Sequence, residues 1–146
     1  KISEKQGEVS PQQIMDNFKR EYLDQKEPLH FKKLRIEDLS GDVESGEFDT
    51  KVIVDYTLAG KPGTFDAVGN GPIDAVKRGL QVTFGMNIRV HALQHGSNAQ
   101  AAAYIHMMDA ESGRVTYGVG VSSNITRASV RAMFSAVNRL ELVTGV

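Results

Sequence analysis

The sequence contains no cysteine. That absence removes disulfides, thiolate metal sites, iron–sulfur ligation and cysteine nucleophiles together, and it fits a reducing compartment, so a cytoplasmic location is expected. Net charge is also missing. With 17 Lys and Arg against 18 Asp and Glu the formal charge is -1, and no net field draws the chain to a nucleic acid backbone or an anionic membrane. No apolar run approaches the length that spans a bilayer. Residues 1–9 are polar, without a signal-peptide core, and the chain opens at Lys1 rather than at an initiator Met, which reads as a piece of a longer polypeptide. What is present is ordinary globular composition: 146 residues, 40% hydrophobic, with 14 glycines. This is the material of one folded domain, and it excludes disorder for the bulk of the chain.

Residues 1–27 are expected to form a linker and an N-terminal connecting helix. Ser10 can cap, Pro11 suits a first helical position, and Gln13 completes a capping box. Ile14, Met15, Phe18 and Tyr22 follow at helical spacing, which predicts a helix over about 11–25. From Pro28 onward the periodicity changes. Residues 29–39 alternate like a strand with one slip in the period, and 41–46 form a turn. Residues 48–58 place Val52, Val54 and Tyr56 on one face. Gly60, Pro62 and Gly63 then return the chain into a short strand that ends at Val68. A helix is expected over about 72–81, because Ile73, Val76 and Leu80 share a face. Two long strands, around 88–94 and 99–108, precede a turn at Ser112 and Gly113 and a returning strand over 115–121. The last helix carries Val130, Met133, Phe134, Val137 and Leu140 on one stripe.

These elements repeat. Aligning Asn70 with Asn124 superposes two helix starts, each after a hairpin, and each preceded by three strands. The domain over 28–146 therefore divides into two βββα units, about 28–86 and 87–141. The fold class expected is α+β: antiparallel strands with helices packed on one side, related by an internal pseudo-twofold.

Signals for catalysis are weak. His91 and His95 stand at i and i+4, a ligand pair on a helix, but on a strand their Cα atoms are about 13 Å apart, too far for one ion. The carboxylates are scattered through turns and helix faces, and no Ser, His and Asp arrangement emerges. The loop Gly69-Asn70-Gly71-Pro72 is more informative. Its glycines allow positive φ and close approach of a ligand to backbone amides at a helix start, where a carboxylate would sit well. Read without a ligand, it is a strand-to-helix turn capped by Asn70. In Ala99-Gln100-Ala101-Ala102-Ala103 alanines replace the bulky residues a strand prefers, which leaves either tight packing or a small apolar pocket.

Three motifs in order resemble a known family: Gly69-Asn70-Gly71-Pro72; His91-Ala92, then Gly96 and Ala99 to Tyr104; and Tyr117-Gly118-Val119-Gly120-Val121 leading through Ile125-Thr126 to Ser135-Ala136-Val137-Asn138-Arg139. From about Val9 to Leu140 the chain resembles the C-terminal regulatory domain of 2-isopropylmalate synthase, the committed enzyme of leucine biosynthesis. The resemblance implies a homodimer of two-unit domains that binds leucine and mediates feedback inhibition. It implies no catalysis by this stretch. The acyl transfer would belong to a catalytic barrel of the same polypeptide, with a divalent metal and acetyl-CoA, and no cofactor or metal is expected here. Carried over position by position, the leucine site falls on Gly69, Asn70, Gly71, Ile73, Ala92, Ala99, Ala101 and Ile125. Two alternatives are an isoleucine-sensing domain of a citramalate synthase and a dimerisation module without a working effector site. No nucleic acid or membrane partner is expected.

Overall fold

In a computed structural model the described residues are 28–39, 48–96 and 101–143. The linker and helix expected before Pro28, the turn over 41–46 and Ala99 lie outside the described residues. Eight elements follow in order: β1 (Leu29–Asp38), β2 (Thr50–Leu58), β3 (Lys61–Gly69), α1 (Pro72–Phe84), β4 (Ile88–Gly96), β5 (Ala101–Asp109), β6 (Val115–Ser122) and α2 (Ile125–Arg139). They make two three-stranded antiparallel sheets, β1-β2-β3 and β4-β5-β6, each followed by a helix. This is the α+β architecture of two βββα units that the sequence pattern predicts.

Local chemistry explains the boundaries. The slip in the β1 period is a register shift between Phe31 and Lys33, so Leu29 and Phe31 before it, and Leu34 and Ile36 after it, all align with the inward residues of β2. The β2–β3 connection is tighter than the sequence suggests. Only Ala59 (φ 52) and Gly60 (φ 85) turn the chain, and Pro62 and Gly63 already belong to β3. Proline is tolerated there because β3 is an edge strand. Helix α1 runs three residues past the expected 81 and stops at Gly85, whose left-handed backbone donates its N–H to the Gln81 carbonyl.

One apolar core joins the units. Val52, Val54, Phe65, Val76 and Leu80 of the first unit meet Ile105, Met107, Met133, Phe134 and Val137 of the second in a single buried cluster. Phe31 and Phe134 touch edge to face, with ring centroids 5.6 Å apart. A polar clasp reinforces the junction. The buried Asn138 side chain accepts from the Leu29 N–H (3.1 Å) and donates to the Leu29 carbonyl (2.8 Å), pairing both backbone groups at the start of β1 with the last turn of α2.

Close helix-on-sheet approach decides where small residues fall. A Cβ on Gly118 or Gly120 of β6 would collide with the carbonyl oxygens of Ala132 and Ala128 of α2. Ala103, the partner of Gly120 across β5 and β6, is fully buried beneath the same helix. For Ala103 the alanine run therefore means tight packing.

Candidate functional site

The loop between β3 and α1 is built by the hairpin register. Thr50 pairs with Gly69, which carries Asp49 to the start of α1. The Gly71 N–H donates to the Asp49 carboxylate (3.0 Å), and the Asn70 N–H donates to the Asp74 carboxylate (2.9 Å). Gly71, at φ 96 and ψ 164, is the N-cap of α1 and contributes no side-chain cap, while Pro72 removes one orphan donor. The expectation that Asn70 caps this helix is thus corrected: the cap position is one residue later, where the positive φ favours glycine. Gly69 is needed for a different reason, since a Cβ there would lie 2.5 Å from the Ala75 amide nitrogen.

Charge at the loop is layered. Asp74 accepts from the Arg78 Nε (2.9 Å) and lies 3.7 Å from the Lys77 Nζ. Burial pushes its carboxyl up, but the hydrogen bonds from Arg78 and the Asn70 amide and the charges of Arg78 and Lys77 outweigh that, leaving it below the ordinary aspartate value. The Arg78 guanidinium also lies over the Phe48 ring, 4.7 Å from its centroid. Asp49, by contrast, has no ion pair among the described residues; its carboxylate accepts from the Gly71 amide and the Thr50 hydroxyl (2.8 Å).

The second helix start is self-contained. Asn124 is the N-cap of α2 and its side chain accepts from the Arg127 N–H at 2.9 Å. Gly71 therefore occupies the place of Asn124, and the repeat is offset by one residue from the alignment on Asn70.

The residues that the resemblance assigns to an effector fall into groups. Gly69, Asn70, Gly71 and Ile73 sit together at the start of α1, with Gly69 buried, Asn70 exposed and Ile73 half-buried against the core. Ala101 pairs across the sheet with Ser122, beside the end of β6 from which α2 departs through Ile125. Ala101 is 7% exposed. Ala92, opposite Ile105, packs against the core from the middle of β4. Each helix start is bonded to its own partners: Asn70 and Gly71 to Asp74 and Asp49, and Arg127 to Asn124. Asp49 was not singled out by sequence reasoning; the signal for it was the β2–β3 register, which brings position 49 to position 71.

His91 lies on β4 and is exposed, directly across from His106, which stacks edge to face on Tyr117 with centroids 5.0 Å apart. No group of three or more His, Asp or Glu that could hold a metal ion exists among the described residues. Among the same residues no helix is long and apolar enough to cross a membrane.

Known proteins share sequence similarity with nearly the whole chain. The 2-isopropylmalate synthase of Mycobacterium leprae (strain TN) is 39% identical over 145 residues, covering 95% of this chain and 23% of that protein. That of Mycobacterium ulcerans (strain Agy99) is 38% identical over 138 residues, covering 91% and 23%. That of Clostridium acetobutylicum is 32% identical over 148 residues, covering 97% and 26%. The chain spans about a quarter of the length of these curated relatives. A family model described as the LeuA allosteric (dimerisation) domain matches residues 8–141. The chain belongs to the family of LeuA allosteric (dimerisation) domains.

Proposed function

We propose that this chain is the leucine-sensing regulatory domain of a 2-isopropylmalate synthase, acting as a homodimer in the cytoplasm to inhibit an acetyl-CoA-dependent catalytic barrel of the same polypeptide. The family match and the names of the relatives support the regulatory reading and the choice of leucine. The chain itself would carry out no chemistry. Inhibition then requires that leucine bind one arrangement of the dimer more tightly than another.

One observation carries the effector site: Asp49 stands at the start of α1 with its carboxylate on the Gly71 amide and no cationic partner among the described residues. The two loop amides are already bonded to carboxylates, so the loop receives the ammonium end of an amino acid rather than its carboxylate. Leucine would place its ammonium against Asp49 and its side chain against Ile73, with Ala92, Ala99, Ala101 and Ile125 completing the apolar surroundings.

Calorimetric titration tests this reading. Leucine should bind, isoleucine should bind less tightly, and 4-methylpentanoate, which lacks the ammonium group, should bind at least tenfold more weakly than leucine. Asp49→Asn should cost leucine affinity on the order of 10- to 100-fold, the worth of a charge-assisted hydrogen bond. Isoleucine binding more tightly would favour the citramalate-type reading, and binding of neither would leave a dimerisation module. Light scattering that shows a monomer at high micromolar concentration would contradict the dimer.

A further inference from the structure

Among the described residues four strands lie at sheet edges: β1, β3, β4 and β6. An edge strand offers backbone hydrogen-bonding groups to another chain, and charges or proline on the strand normally guard it. Three of the four are guarded. β1 exposes Lys33, Arg35 and Glu37, β3 carries Lys61, Pro62 and Asp66, and β4 exposes Arg89. β6 has neither a charged residue nor a proline, and its Val, Thr and Tyr residues favour extended pairing. Among the described residues it pairs with β5 alone. On the face turned away from α2, exposure falls from Val115 (53%) through Tyr117 (46%) to Val119 (0%), so the open end is the one beside the β5–β6 turn. Side chains there leave the edge clear. The Tyr117 ring stacks on His106 of β5, which draws it over its own sheet. Arg114 donates to the Leu140 carbonyl (2.5 Å) and Arg139 to the Thr116 hydroxyl (3.3 Å), which holds both charges towards α2.

We propose that the opening half of β6 is the edge at which two copies of this chain meet, pairing antiparallel across a twofold axis so that two three-stranded sheets become one of six strands. The inference rests on the homodimer reading above and says where the contact lies. A second copy is the occupant for two reasons: the matched family is one of dimerisation domains, and the segment Val115-Thr116-Tyr117 complements itself. Antiparallel pairing centred on Thr116 sets Val115 opposite the partner's Tyr117, and the twofold repeats that β-branched and aromatic pair. Main-chain hydrogen bonds supply the rest, as in strand addition to any open sheet edge.

Sedimentation equilibrium on the full 146-residue chain tests the contact. The parent should be a dimer, and Val115→Lys combined with Tyr117→Lys, which sets like charges directly opposite each other, should weaken dimerisation at least tenfold while circular dichroism stays unchanged. Val82→Lys, at an exposed position of α1, should leave dimerisation intact. A folded double variant as dimeric as the parent would overturn the edge contact and leave the homodimer reading standing. A monomeric parent would overturn both. A second measurement does not depend on the lysines. Because the chain has no cysteine, a nitroxide on Val115→Cys is the sole label, and pairing centred on Thr116 brings two such labels within about 15 Å. Their spectrum should broaden, and dilution with unlabelled parent should remove the broadening. A sharp spectrum from labelled protein that is still dimeric would overturn the proposal.

Discussion

The two βββα units share strand order and pairing but meet the same demands with differently placed residues. In the first, the small residue along the middle of the contact is on the helix, where Gly79 of α1 makes room for the Phe65 ring and Ala67 of β3, and a strand glycine, Gly69, meets the helix backbone only at the start of α1. In the second, the small residues are on the strand, with Gly118 and Gly120 of β6 against the backbone of α2. The first helix begins at Gly71, which donates its own amide to Asp49 while the preceding Asn70 amide donates to Asp74, whereas the second is capped by its own Asn124. The outer face of the first sheet is charged, whereas that of the second carries an apolar cluster of Ala102, Tyr104, Val119 and Val121 beside the exposed Arg89 and His91 of β4. A repeat of this kind keeps what topology requires, a close helix–strand contact and a capped start, and lets the side chains that meet each requirement diverge. Asp49, borrowed from a distant position, has no ion pair among the described residues, which is why the proposed reading puts the cationic end of an effector at the first helix start.

Substitutions can break this comparison unit by unit. The largest effect is expected for Gly120→Val, whose side chain meets the Ala128 carbonyl rather than a side chain that can move. The loss should reach about 3 kcal/mol or more by urea unfolding, the upper end of overpacking costs. Gly79→Ala in the first unit should cost about 1–2 kcal/mol, because the Phe65 ring can shift and the helix regains propensity. Equal losses for the two would show that the helix-side and strand-side solutions are equivalent. Next comes the junction. Asn138→Leu leaves the buried Leu29 N–H and carbonyl unpaired, and a loss of about 2–3 kcal/mol is expected in the same measurement.

Smaller effects sharpen the contrast between the helix starts. Asn124→Ala should cost about 1 kcal/mol of stability, a normal N-cap loss, while Asn70→Ala should change it by less than about half as much, since Asn70 is not a cap. The smallest effect is in acid. The Asp74 carboxyl is depressed on folding, so its contribution is complete above the unfolded value of about 3.9 and is lost as pH falls through the lower folded value. Asn124 does not titrate. Amide exchange at Asn70 should therefore accelerate only as pH falls below about 4, beyond the intrinsic dependence, on the order of a few-fold, while that at Arg127 should not.

Much of the fold is legible in the sequence because the periods are strong: the alternation of 50–58 and the stripe of α2 each report one buried face. Even the β1 bulge shows as a slip in alternation. The turn at Ala59–Gly60 is less legible, because Pro62 and Gly63 are turn residues that here occupy an edge strand. The candidate site is half legible. Gly69 and Gly71 stand out as residue types, but the groups bonded to the loop amides come from side chains 22 residues apart or one helical turn on, which only the register of β2 and β3 brings together. The one-residue difference between Asn70 and Gly71 as the cap follows from a backbone angle that residue identity alone does not disclose.

The most direct test of the central claim, that the first helix start is where an amino acid effector binds, is a leucine titration followed through the backbone amide signals of this chain. The largest shifts are expected at Asn70, Gly71 and Ile73, and they should be abolished by Asp49→Asn while the fold is kept. Saturable binding that leaves these three amides unmoved, or that persists unchanged in Asp49→Asn, would contradict the account.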